Sequence, residues 1–98
     1  MKTEQLLEEL TAAAGQLGLE VRLEKGNFRG GRCLKDGEDL IMLNKRQLPK
    51  VRLAVLAAAL HTLPTDSVYL RPAVRRALED LWAQQDLPFE EAAADAEG

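Results

Sequence analysis

The centre of the fold is encoded in residues 51–63, which read Val-Arg-Leu-Ala-Val-Leu-Ala-Ala-Ala-Leu-His-Thr-Leu. From Leu53 to Leu60 there is no polar side chain, so an α-helix over this segment is apolar on every side. Pro49 suits the first turn of such a helix, and Pro64 blocks its continuation. The stretch therefore predicts a central helix buried between a sheet and other helices.

The residues before this helix have the pattern of strands. Leu19, Val21 and Leu23 alternate with charged residues, which is typical of a strand with one wet face. An Asp-Gly turn at positions 36–37 follows, and then the apolar run Leu40 to Leu43. We expect this run to be covered on both faces or to lie centrally in the sheet. Residues 19–44 are most simply arranged as a three-stranded antiparallel meander.

Amphipathic helices are predicted on both sides of these elements. Leu6, Leu10 and Leu17 form part of one apolar stripe, and Leu78 and Trp82 belong to another in a helix starting near Pro72. The expected fold class is α+β: helix, three-stranded antiparallel β-meander, buried central helix and C-terminal helix. We expect a single domain over residues 1–88 and an acidic, partly disordered tail over residues 89–98.

Composition excludes several classes of protein. The chain has 98 residues with a formal net charge of -3, and contains one cysteine and one histidine. A tetrahedral zinc site of Cys and His ligands cannot be built from these, so we expect no metal and no cofactor. There is no apolar run of membrane-spanning length and no secretory signal, and the single cysteine suits a reducing compartment. We therefore expect a cytoplasmic protein with no membrane contact.

A basic segment interrupts this acidic chain. Residues 22–52 carry nine basic and four acidic side chains, a net charge of +5. Arg29, Arg32, Lys45 and Arg46 are the candidates for binding phosphate or nucleic acid. The alternative is that the basic residues line the solvent face of the sheet and pair with acidic helices. Nucleic-acid binding is the less favoured interpretation, because the chain is acidic overall and lacks a recognised binding motif.

Two further pairs of residues are candidate functional groups. Cys33 and His61 have the elements of an activated thiol, although no motif supplies a third group or an oxyanion hole. Cys33 could equally be a buried apolar residue, and His61 could interact with the carbonyl end of its helix. Tyr69 and Trp82 could anchor a partner or a dimer surface, or could simply close a small core.

The order of elements carries a resemblance to a known family. A strand ending in Ile41-Met42-Leu43-Asn44, a short connection and a helix opened by Arg52 resemble the core of the ImmA/IrrE type of zinc metallopeptidase, over about residues 30–63. In that pattern, R-x-x-x-x-H-E-x-x-H, His61 matches the second histidine. Ala57 stands where a zinc histidine would be, and Ala58 where the general-base glutamate would be. The resemblance therefore implies a zincin-like fold without peptidase activity.

The function we expect from the sequence is not catalytic. We expect a small cytoplasmic interaction or regulatory module that binds a protein partner or forms a homodimer. Such a module could have a degenerate metallopeptidase-like fold without peptidase activity. The alternatives are a cysteine-dependent enzyme using Cys33 and His61, and phosphate or nucleic-acid binding through the basic segment.

Overall fold

The computed structural model describes residues 1–85, and the predicted acidic tail at residues 89–98 lies outside them. Three α-helices and three β-strands make up this part of the chain, with a short 3₁₀ turn before the last helix. In chain order they are α1 (Thr3–Gln16), β1 (Glu20–Glu24), β2 (Gly31–Lys35), β3 (Glu38–Asn44), α2 (Pro49–Leu60), the 3₁₀ turn (Thr65–Ser67) and α3 (Pro72–Gln84). The α+β class is thus as predicted.

The predicted antiparallel meander is wrong. The sheet has the order β1-β3-β2, with β3 parallel to β1 and antiparallel to β2. Only the link between β2 and β3 is a tight hairpin, in which Asp36 and Gly37 both have positive φ angles, 52° and 81°, as a type I′ turn requires. The link between β1 and β2 has room to pass over the end of β3. The most apolar strand therefore takes the central position, as its composition favours.

Asn44 and Gly30 hold this crossing segment in place. The buried side-chain amide of Asn44 donates to the carbonyl oxygens of Gly26 at 2.9 Å and Phe28 at 2.7 Å. Its Oδ1 accepts the backbone N–H of Arg46 at 3.0 Å. Gly30 has a φ of +94°, and a Cβ there would lie 2.7 Å from the carbonyl oxygen of Met42. Only glycine permits this close approach to the backbone of β3.

The helices cover one face of the sheet. α1 packs against α2 and β1, α2 packs against β2 and β3, and α3 packs against α2 and α1. Ile41 and Leu43 of β3 meet Leu10 of α1, Leu56 of α2 and Leu78 of α3 in a single hydrophobic core. In residues 1–85 no helix is long and apolar enough to cross a membrane.

The predicted central helix α2 packs against the sheet and against both other helices, but it is not buried on every side. Leu53, Leu56 and Leu60 lie in the core, whereas Val51 is 42% exposed and Ala58 is only half-buried. α3 packs on a different side of α2, and β2 is the last strand of the sheet on this side. Within residues 1–85, one apolar face of α2 therefore remains open beside the edge of the sheet.

Candidate functional site

A groove runs between β2 and the open face of α2. Its cavity volume is about 560 Å³. Apolar side chains of α2 form its floor, the start of β2 forms one wall, and Gln85 lies at the end of α3. The lining residues are Arg29, Gly30, Gly31, Arg32, Gln47, Val51, Ala54, Val55, Ala58, Ala59, Thr62 and Gln85. We call this feature the β2–α2 groove.

The strand beside this groove has an unpaired edge within residues 1–85. β2 is the last strand in the sheet order, and Lys35 pairs with Glu38 across the two-residue turn. Such a turn closes on a hydrogen-bonded pair, so Lys35 and, by alternation, Cys33 direct their backbone groups towards β3. The N–H and C=O groups of Arg32 and Leu34 therefore point away from the sheet. They can pair with another extended segment.

The lining of the groove is positively charged. Among residues 1–85 it includes Arg29 and Arg32 and no carboxylate. The Arg32 guanidinium binds Asp39 through both oxygens, with Nε–Oδ1 at 3.0 Å and Nη2–Oδ2 at 2.6 Å. These hydrogen bonds raise the pKa of Arg32 and lower the pKa of Asp39. Nη1 of Arg32 also donates to Oγ1 of Thr62 at 3.1 Å and so ties β2 to the end of α2.

Two amide side chains complete the lining. Nε2 of Gln85 donates to the carbonyl oxygen of Ala54 at 2.9 Å, which fixes the end of α3 against α2. Oε1 of Gln47 is buried and accepts no hydrogen bond from residues 1–85. A buried acceptor in this state is costly.

None of the lining side chains that the structure describes is equipped for general acid–base or nucleophilic chemistry. Thr62 is the only hydroxyl there, and it donates to the carbonyl oxygen of Ala59 at 2.6 Å. Ala58, which matches the general base in the metallopeptidase pattern, lies in the lining, whereas Ala57 is fully buried. Among residues 1–85, no three His, Cys, Asp or Glu side chains are grouped to hold a metal ion.

The structure does not bring Cys33 and His61 together. Arg32 reaches α2 from the helix-covered face, so the next residue in the strand, Cys33, faces the opposite side of the sheet. His61 follows α2 and packs edge-on against Trp82, with ring centroids 5.0 Å apart at 83°. The sheet therefore separates the thiol from the imidazole.

The two aromatic residues considered for a partner surface lie in different environments. Trp82 is 7% exposed and donates from Nε1 to the carbonyl oxygen of Ala57 at 2.7 Å. It closes the core between α3 and α2. Tyr69 is 77% exposed and lies beside Arg71, whose guanidinium pairs with Glu9 of α1. Of the two, only Tyr69 presents its ring to solvent.

The four basic residues considered for phosphate are divided between two places. Arg29 and Arg32 line the groove, whereas Lys45 and Arg46 follow β3. The hydrogen bonds of Asn44 hold the segment containing Arg29 against the segment containing Lys45 and Arg46. Sequence reasoning placed all four in one basic block but had no means of identifying this clamp.

The open face of α2 was missed because its residues are small and apolar. Val51, Ala54, Ala58 and Thr62 recur at intervals of three and four, which puts them on one helix face. This face carries smaller side chains than the face with Leu53, Leu56 and Leu60. This difference in side-chain size was the available signal for a helix face that no large side chain of residues 1–85 covers.

A comparison with family models, curated proteins and solved structures finds no match for this chain. The fold and the groove together define a small α+β domain with an apolar groove beside an edge strand.

Proposed function

We propose that this chain is a non-catalytic interaction module that binds a segment of another protein in the β2–α2 groove. The observation that carries this proposal is the open groove of about 560 Å³, which has an apolar floor and, from residues 1–85, no reacting side chain. Cavities of roughly 300–1,000 Å³ are typical of binding sites. Apolar floors of this kind bind by removing their surface from water.

The resemblance to ImmA/IrrE-type metallopeptidases is consistent with this proposal. Alanine at positions 57 and 58 can neither bind zinc nor activate water. On this interpretation the chain keeps a degenerate zincin-like fold and has no peptidase activity. We also propose that it acts in the cytoplasm, because its single thiol suits a reducing compartment.

The test is an affinity pull-down from a nuclease-treated native lysate with three forms of the full chain. Ala58→Arg fills the groove, and Ala73→Arg makes the same change on the exposed start of α3, at the end remote from Gln85. We expect the wild type and Ala73→Arg to retain the same stoichiometric protein, and Ala58→Arg to lose it. A second copy of this chain as partner would appear as a dimer in light scattering. If no stoichiometric partner is retained, or if Ala58→Arg retains it equally, the proposal is wrong.

Anion binding is a second candidate function. It is favoured by the clamp of Asn44, which holds the segments bearing Arg29, Lys45 and Arg46 against each other. We expect the wild-type chain to be retained on a phosphate-bearing column, with retention that falls as the salt concentration rises. At the same salt concentration, Lys45→Glu and Arg46→Glu should each be retained less than the wild type. No retention of the wild type at low salt would exclude this function.

The thiol hypothesis has a direct test as well. Because the sheet separates Cys33 from His61, we expect the rate of Cys33 alkylation near neutral pH to be the same in the wild type and in His61→Ala. Fast labelling that is lost in His61→Ala would instead favour a cysteine-dependent enzyme.

A further inference from the structure

The edge of β2 offers hydrogen bonds in a regular arrangement. Arg32 and Leu34 each direct one N–H and one C=O outwards, and these two residues lie on a five-residue strand. The spacing of such groups matches that of an extended peptide lying alongside. Leu34 is 74% exposed, so no described residue covers this part of the edge.

The two faces of an added strand would meet different surroundings. Side chains on the helix side would lie over Val51, Val55 and Ala58, where small or medium apolar groups fit. Side chains on the other face would lie alongside Lys35, which alternates with Leu34 and so faces away from the helices. A strand added to β2 would thus have an apolar and a polar face.

Charge favours acidic residues on the polar face and at the ends of such a strand. In residues 1–85 neither Arg29, at the groove, nor Lys35, on β2, has a carboxylate within salt-bridge distance. Asp39 is already engaged by Arg32, and Glu38, which pairs with Lys35 across the hairpin, is engaged by Arg22 at 3.6 Å. A basic peptide would face these cations without compensation.

We propose that the ligand of the groove is an extended segment of a protein partner, with apolar and acidic residues in alternation, which adds to the sheet by pairing with β2. This inference rests on the proposed function and specifies its partner. The backbone of the segment bonds Arg32 and Leu34, its apolar side chains cover the open face of α2, and its carboxylates face Lys35 and Arg29.

The experiment uses the ¹⁵N-labelled full chain and two synthetic peptides. The first is acetyl-Ser-Glu-Val-Glu-Val-Glu-Ser-amide, and the second has lysine at each glutamate position. We expect the acidic peptide to give saturable shifts at the amides of Arg32, Leu34, Val55 and Ala58, and slower hydrogen exchange at Arg32 and Leu34. The basic peptide should bind at least about tenfold more weakly.

Two pairs of variants test the geometry. Leu34→Pro removes one outward N–H, which an edge position tolerates, whereas Leu34→Ala keeps it. We expect Leu34→Pro to lose about tenfold or more in affinity and Leu34→Ala to stay within about threefold of the wild type. Ala58→Arg should abolish binding of the acidic peptide, and Ala73→Arg should not. If Leu34→Pro does not fold, this second pair tests whether the peptide occupies the groove.

Three results would overturn the inference. Shifts confined to Lys45 and Arg46 would indicate electrostatic adsorption at the basic segment. If the acidic peptide binds only to a variant that carries Leu87→Asp and Phe89→Asp, the occupant of the groove is the chain's own segment following Gln85. The pull-down could retain a partner that Ala58→Arg loses, while the acidic peptide does not bind. That result would support the interaction module and refute strand addition by this class of peptide.

Discussion

Replacing Asn44 is the sharpest test of the mixed sheet. Asn44→Ala removes two hydrogen bonds to the carbonyl oxygens of Gly26 and Phe28, and one from the N–H of Arg46. A neutral hydrogen bond of this kind contributes about 0.5–1.5 kcal/mol. The three together predict a loss of about 2–4 kcal/mol in the free energy of unfolding. In a domain of this size that loss corresponds to a fall of about 10–25 °C in Tm.

Urea denaturation followed by circular dichroism would measure this loss, with the m-value as a check on two-state behaviour. Asn44→Asp is the isosteric companion, and it should lose at least as much because a carboxylate cannot donate to the two carbonyls. Asn27→Ala is the control, since Asn27 is exposed in the same segment, and it should stay within about 0.5 kcal/mol of the wild type. A loss of less than about 1 kcal/mol in Asn44→Ala would refute the view that this side chain holds the crossing segment.

Three further predictions concern the core and the groove. Trp82→Phe should lower the free energy of unfolding by about 1–2 kcal/mol, measured in urea; an unchanged value would place the indole outside the core. Ala57→Leu should lower the free energy of unfolding by about 1–3 kcal/mol, because the methyl group of Ala57 is fully buried. Ala58→Leu should change it by less than about 0.5 kcal/mol. Equal effects of the two substitutions would show that Ala58 does not line an open groove. The hydrogen bonds from Arg32 lower the pKa of the Asp39 carboxyl in the folded state. The stability that they contribute is therefore fully present at pH values above the pKa of this carboxyl in the unfolded chain, and it is lost as the pH falls through its pKa in the folded protein. The urea midpoints of the wild type and Arg32→Gln should therefore approach each other as the pH falls below the unfolded pKa of Asp39, and a constant difference would contradict this role.

The helices and the central position of β3 follow from local signals in the sequence. Periodic leucines predict α1 and α3, the prolines at positions 49 and 64 bracket α2, and an uninterrupted apolar run predicts a central strand. The Asp-Gly turn is likewise encoded by the two residues that adopt positive φ. Each of these features depends on side chains that are close together in the chain.

The strand order could not be predicted in the same way. It depends on a crossing segment whose position is fixed by Asn44 and by the approach of Gly30 to the carbonyl of Met42. These contacts join residues that are 12 to 18 positions apart. A sequence pattern shows a turn-forming segment but does not show which side of the next strand it passes. Economy of connection then favoured the meander.

The candidate groove was hidden for a related reason. Arg29 and Arg32 were identified by charge, but their position beside Ala58 depends on the strand order. Hydropathy alone makes Val51, Ala54 and Ala58 look buried, because alanine has too little surface to distinguish a core position from a shallow floor. The separation of Cys33 from His61 also follows from which face of β2 points towards α2.

The mixed topology and the proposed binding site are one feature of this molecule. In a meander β2 would be the middle strand, and Arg32 and Leu34 would pair with β1. The crossing segment places β2 at the edge instead and leaves their outward groups available beside α2. Because Asn44 holds that segment, Asn44→Ala should weaken binding of the acidic peptide as well as stability, even at temperatures where the variant remains folded. Unchanged affinity in the folded variant would show that the edge of β2 is positioned without the clamp.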